Sequence, residues 1–236
     1  MKIASALAIL TIIGAGAVLF ALMPTPAPAQ GNGLIVVELY QSQGCSSCPP
    51  ANANVAAIAD RSDILALSFA VTYWDHLGWR DTFAKPEFTA RQYAYSRGLG
   101  HSNVYTPQVI VNGVTDLNGI NGGELSNAMN RAGRVSSQLI SLNNGTLQIA
   151  PGQPQPAADI WLVHYDRRSI PVPISAGENE GHTLPHKNIV RDLTHLGTWS
   201  GAPISFPITA PSDPNFATAV LIQKQNGGPI VAAAKF

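Results

Sequence analysis

The only two cysteines of this 236-residue chain lie three positions apart, in Gly44-Cys45-Ser46-Ser47-Cys48-Pro49-Pro50. An apolar run, Leu34-Ile35-Val36-Val37-Glu38-Leu39-Tyr40, leads straight into them. Helix-forming residues follow at 51–60, with Val55, Ile58 and Ala59 on one face. The order is strand, tight loop, cysteine pair, helix start. A bridge this short closes a tiny loop and removes little entropy from the unfolded chain, so it is a weak staple. The N-terminal sulfur lies toward the positive end of a helix, which favours its thiolate. Both points suit disulfide exchange, with Cys45 as the attacking thiolate and Cys48 as the resolving thiol. The alternative is an inert bridge. Pro49 and Pro50 bear on the choice, because proline is tolerated only in a first helical turn. The helix is therefore expected to start near Cys48, with Cys45 at the margin of its dipole. Ser46 and Ser47 read either as donors to a thiolate or as ordinary N-cap residues.

The rest of the first half alternates regularly. Ile64 to Thr72 reads as a second apolar strand, and Pro86 opens a helix running to about Arg97, with Gly98 as its stop. Asn112-Gly113 between Gln108–Val111 and Val114–Leu117 is a strong hairpin signal. Gly122 to about Leu139 reads as a closing helix. The order β-α-β-α-β-β-α implies a parallel pair with a right-handed crossover, closed by antiparallel strands. That is an α/β sandwich with helices on both faces of one sheet. Near residue 145 the texture changes. Pro151-Gly152-Gln153-Pro154-Gln155-Pro156 reads as a linker. Short apolar or alternating runs follow at Asp159–Tyr165, Ile170–Ile174, Asn188–His195, Ile204–Ile208, Ala217–Gln223 and Ile230–Ala234, the pattern of antiparallel β-structure. The expected division is residues 30–150 as an α/β domain and 151–236 as a β-rich C-terminal domain.

The N-terminus carries its own signal. Lys2 precedes an almost wholly apolar stretch from Ile3 to Met23, and Ala27-Pro28-Ala29 matches a small-residue cleavage site. Residues 1–29 are expected to be a signal peptide, with the mature chain starting at Gln30 in the periplasm or secreted. The apolar stretch is also long enough to span a bilayer, so an uncleaved anchor is the alternative, and the only membrane contact expected. In an oxidising compartment a lone cysteine pair can rest as a disulfide. The chain has 14 basic and 14 acidic residues, so there is no electrostatic case for nucleic acid. At 12% charged and 45% hydrophobic it can bury a core and is not a disordered tail.

Cys45-Ser46-Ser47-Cys48 after a strand, with Thr106-Pro107 just before a hairpin strand, resembles the thioredoxin-like fold. The chain more closely resembles a secreted bacterial thioredoxin-like family called domain of unknown function 1223. The resemblance is carried by Val37-Glu38-Leu39-Tyr40 through Pro50, Tyr73-Trp74-Asp75-His76-Leu77-Gly78-Trp79, Phe88-Thr89-Ala90-Arg91-Gln92 and Val104-Tyr105-Thr106-Pro107-Gln108. It continues in Gly177-Glu178-Asn179 and from His186 to Arg191. It implies a thioredoxin-like α/β sandwich with a C-terminal β-rich, sandwich-like extension. It also implies a cis Thr106–Pro107 bond packed against the cysteine pair, beside a backbone edge that an extended substrate would use. By general statistics alone the bond would be trans.

Other residues stand out singly. Glu38 is the only charge in a strand expected at the sheet centre, and a buried carboxylate needs a partner or a proton. It is a candidate proton acceptor for the resolving thiol, or else a structural ion-pair member. Trp74, Asp75, His76 and Trp79 follow the second strand, at the end where α/β sheets bind ligands. Trp74 and Asp75 are therefore candidates for substrate contact, the alternative being core cover and a turn cap. His182 and His186 are four apart, but Gly181 and Pro185 argue against a helical metal pair. His101 reads as a surface-loop residue. The leading expectation is an exported thiol–disulfide oxidoreductase acting on protein or small-molecule thiols and disulfides, with no metal and no cofactor beyond the cysteine pair. A non-enzymatic binding or assembly factor on the same scaffold is the alternative. A copper chaperone using the two sulfurs is a third reading.

Overall fold

The computed structural model describes residues 33–152 and 157–236. The N-terminal segment 1–29, with its signal or anchor reading, and residues 153–156 of the proline-rich stretch lie outside the described residues.

The central strand β1 (Ile35–Gln41) is buried along its whole length. Alternation sends Val36 and Tyr40 to one face of the sheet and Ile35, Val37 and Leu39 to the other. β2 (Ile64–Ala70) runs parallel to it, in register from Ile35 opposite Ile64 to Gln41 opposite Ala70. The crossover between them is α1 (Pro49–Ile58). β3 (Gln108–Val111) lies antiparallel on the other side of β1 and turns into β4 (Thr115–Leu117). Asn112 and Gly113 make that turn with φ of 50° and 70°, the left-handed pair that an Asn-Gly hairpin requires. α2 (Pro86–Gly98) packs Phe88 and Tyr95 on one face of the sheet. α1 and α3 (Gly122–Ala132) cover the other face with Ala51, Val55, Leu125, Ala128 and Met129. The layout is thioredoxin-like. The Asn121 side chain caps α3 by accepting from the Gly123 and Glu124 amides. α3 ends at Ala132, short of the expected Leu139, because Gly133 leaves the helix at φ +69°.

The second half extends this sheet. β7 (Ala158–Pro173) and β8 (Thr183–Trp199) form a long antiparallel pair, and β8 meets β2 in parallel at Ser68 and Ile189. β10 (Phe216–Lys224) pairs with β7, and β11 (Ile230–Lys235) closes the edge. The result is one eight-stranded sheet in the order β11-β10-β7-β8-β2-β1-β3-β4. A small antiparallel sheet, β5 (Ile140–Asn143), β6 (Thr146–Ile149) and β9 (Ile204–Pro207), supplies the sandwich-like layer. Its Ile140, Leu147 and Ile149 pack on Ile160, Val220 and Ile222. The runs at 159–165 and 170–174 are one strand. Register shifts at Ile160/Trp161, His164/Tyr165 and Asp166/Ser169 break its alternation without ending it. No helix among the described residues is long and apolar enough to cross a membrane.

The one charge inside β1 finds a partner across the face covered by α2. Arg91 Nε donates to Glu38 Oε1 at 2.8 Å, and a second guanidinium nitrogen donates to Oε2 at 3.3 Å. The Tyr95 hydroxyl also donates to Oε2. The guanidinium lies over the rings of Phe69, Tyr95 and Trp161, 5.1 to 5.9 Å from their centroids. Burial alone would lower the Arg91 pKa, but the charge and hydrogen bonds of Glu38 outweigh it and hold Arg91 above its ordinary value. Removing one partner of such a pair strands the other charge in the core. Arg91→Met is expected to cost about 3–5 kcal/mol in urea unfolding. The triple change Glu38→Met, Arg91→Met, Tyr95→Phe recovers most of that loss. A single-variant cost under about 1 kcal/mol would show that the pair does not organise this face.

Candidate functional site

The chain leaves β1 at Gln41 and folds tightly. Cys45 N donates to Ser42 O at 3.1 Å, and Cys48 N donates to Cys45 O at 3.1 Å. Cys48 is the N-cap of α1, with Pro49 opening the first turn, so the helix does start at the second cysteine. Cys45 and Cys48 form a disulfide with their Cα atoms 5.4 Å apart. Ser47 Oγ sits 3.4 Å from Cys45 Sγ. Ser46 and Ser47 between them are exposed, yet both cysteines are 0% exposed.

The Thr106–Pro107 bond is cis, the isomer that the resemblance implies. β3 pairs with β1 through Gln108 opposite Tyr40, which sets Pro107 beside Gln41, where the cysteine loop begins. Trp74 stands between the two. Its indole N–H donates to Thr106 Oγ1 at 2.7 Å, and a Cβ added at Gly44 would lie 3.7 Å from the Trp74 Cβ. The loop before Pro107 is tied down. Gln92 of α2 donates to Tyr105 O at 2.8 Å, and Asp116 of β4 accepts from the Tyr105 hydroxyl at 2.7 Å and from Gln108 at 2.9 Å. His101 also lies on Asp116, at 3.0 Å, and not on the cysteines.

A second loop, residues 71–85, grips Gln43. The buried Asp81 carboxylate accepts from Gln43 N at 2.7 Å and Phe83 N at 2.8 Å. The Gln43 side chain accepts from Trp79 Nε1 at 2.9 Å and donates to Thr82 Oγ1 at 2.9 Å. Asp75, a candidate for substrate contact, accepts from the Asp81 amide at 3.1 Å and so braces this loop. Burial pushes the Asp81 pKa up to about 6. The charge on Asp75 adds to the rise, and the Gln43 and Phe83 amides pull against it.

The turn between β7 and β8 lies against the cysteine loop as well. Asn179 Nδ2 donates to Gln43 O at 2.8 Å and to Cys45 O at 3.0 Å. Glu178 accepts from Ser46 N at 3.1 Å and from Ser46 Oγ at 2.7 Å.

Cys45, Cys48, Trp74, Thr106 and Pro107 are thus gathered at one end of β1. Glu38 is not among them: its carboxylate faces α2 and is held by Arg91 and Tyr95. His182 is exposed, whereas His186 is buried against Phe83, with ring centroids 6.0 Å apart, and burial pushes its pKa down to about 4. Among the described residues no three His, Cys, Asp or Glu side chains are grouped to hold a metal ion. Sequence reasoning assigned no role to Gln43, Asp81, Gln92 or Asn179. Gln43, Gln92 and Asn179 sit in stretches that carry the family resemblance, which marks them without saying what they touch.

A family model described as a protein of unknown function, DUF1223, matches residues 36–223. No curated protein matches the chain. Among solved structures, protein AGR_C_4864 from Agrobacterium tumefaciens is 31% identical with a TM-score of 0.70, over 88% of this chain and 96% of that one. HBP35 of Porphyromonas gingivalis is 13% identical with a TM-score of 0.59, over 88% of this chain and 76% of that one. The second likeness bears on the fold alone.

Asp81 yields a pH prediction. Its folded-state pKa lies above its unfolded value, so its contribution to stability is complete below about pH 4 and is lost as pH rises through about 6. Asp81→Asn removes that dependence. Relative to wild type, the variant should gain about 2 kcal/mol between pH 4 and pH 6, measured by urea unfolding at both ends. A constant difference across the window would contradict the assignment.

Proposed function

The chain belongs to the DUF1223 family, and for it we propose a thiol–disulfide exchange function carried by Cys45 and Cys48. The observation that supports this reading most is the disulfide itself, set between a strand end and the first turn of α1 beside the cis Thr106–Pro107 edge. In one direction, a reduced Cys45 thiolate attacks a partner disulfide. The partner's S–S bond breaks, one partner sulfur leaves as thiolate, and a mixed disulfide forms. Cys48, after losing its proton, then attacks Cys45 Sγ and releases the second partner thiolate. The partner gains two electrons and the pair returns to its disulfide. The reverse sequence oxidises a partner dithiol.

Pro49 starts the helix behind Cys48, so the helix end favours the resolving sulfur more than Cys45. Trp74 and Thr106 shape the edge that receives the partner chain. In this reading Glu38 is left out of proton transfer, because its carboxylate faces α2, where Arg91 and Tyr95 hold both of its oxygens. The apolar N-terminal segment with its Ala27-Pro28-Ala29 end supports an exported, oxidising setting. Protein or small-molecule thiols and disulfides are the partners. A second reading, a binding or assembly factor in which the bridge is inert, draws on the complete burial of both sulfurs.

Trapping separates the two. With a model disulfide substrate, Cys45→Ser should lose exchange altogether, and Cys48→Ser should accumulate a mixed disulfide visible by mass spectrometry. Equal behaviour of wild type and both variants would leave the inert bridge.

A further inference from the structure

A disulfide that exchanges must be reached by a third sulfur, yet both sulfurs here are 0% exposed while Ser46 and Ser47 beside them stand in solvent. Part of what covers the loop comes from far along the chain. The tip between β7 and β8 places two adjacent side chains on it, Glu178 on Ser46 and Asn179 on the carbonyls of Gln43 and Cys45. The tip is a closed turn in its own right: Ile174 N donates to His182 O at 2.8 Å and Gly181 N to Ile174 O at 2.9 Å. Behind it, the arm holds to the 71–85 loop by a small apolar cluster of Val172, Ile174 and Leu184 with Trp79 and Phe83. That cluster is separate from the main cores, and segments attached by few apolar groups are the ones that open locally. The arm also has a place to bend. β7 shifts register between Asp166 and Ser169, and on β8 Asn188 takes φ +52° at the same level. At that level, Asn188 Nδ2 donates to Ala66 O at 2.9 Å and Ser68 Oγ to Lys187 O at 2.9 Å, which pins the base of the arm to β2.

We infer that the β7–β8 tip is a latch, closed over the Cys45–Cys48 disulfide through Glu178 and Asn179, and that a partner thiol reaches the sulfurs only when the tip swings away. This rests on the exchange reading above and adds its regulation. The disulfide is kept from adventitious thiols, and exchange proceeds at the frequency of latch opening or on displacement of the tip by the partner. Hydrogen bonds from Ser46 hold the Glu178 carboxyl below its usual range, as expected for a group engaged by the loop.

The test uses dithiothreitol, a small reductant that needs no docking surface, with alkylation and mass spectrometry to follow loss of the disulfide. Asn179→Ala removes two hydrogen bonds without changing charge, and Glu178→Ala alters only an exposed side chain, so the second serves even if the first folds poorly. Each is expected to raise the reduction rate roughly tenfold or more, as loss of one or two hydrogen bonds predicts. The urea midpoint should stay near wild type, and the rate should be almost independent of urea below the transition. Wild-type rates in both variants would overturn the latch. So would rates that climb with urea in step with global unfolding. Neither result decides the exchange reading, which stands or falls on the Cys48→Ser trap.

Discussion

A buried ion pair in the middle of the sheet sets the position of nearly everything around the cysteines. Glu38 occupies the centre of β1 and Arg91 the middle of α2, and both are nearly inaccessible to water. Neither charge is tolerable there alone, so α2 is fixed in rotation and height against β1. That registration carries Gln92, the next residue of α2, onto the carbonyl of Tyr105 just ahead of the cis Thr106–Pro107 bond. The same guanidinium lies over Phe69 of β2 and Trp161 of β7, so it also links the first half of the sheet to the second. In the exchange reading the ion pair therefore acts on the site through position.

At the end of β1, two segments distant in sequence hold one short loop, and a third packs on the first of them. The 71–85 loop holds Gln43 by Asp81 and Trp79, the cis-proline segment touches Trp74, and the β7–β8 tip reaches Gln43, Cys45 and Ser46. Gln43 bonds to both the 71–85 loop and the tip, through its amide, carbonyl and side chain. A site built this way is pre-organised but closed, which fits an exchange centre guarded from stray thiols.

The first half was legible because its signals are local. Apolar runs marked β1 and β2, Pro86 and Gly98 bounded α2, and Asn112-Gly113 fixed the hairpin. The cysteine pair and Thr106-Pro107 were legible for the same reason. The second half was less so. Three register shifts break the alternation of β7 and β8, so two long strands read as several short ones. The partner of Glu38 was signalled as a need and not as a residue, since an apolar strand with one acid calls for a cation without saying which. The Asn179 contact could not be read at all. It spans 136 positions and depends on how two irregular strands aim their turn.

The most direct test of the exchange account is the equilibrium reduction potential of the Cys45–Cys48 pair, titrated against glutathione and its disulfide with thiol alkylation. Equilibrium removes the latch from the measurement, since closing slows reaction without preventing it. A potential above roughly −250 mV is expected for an exchange-competent disulfide. A potential below about −300 mV, with no turnover of a model disulfide, would make the pair a structural bridge.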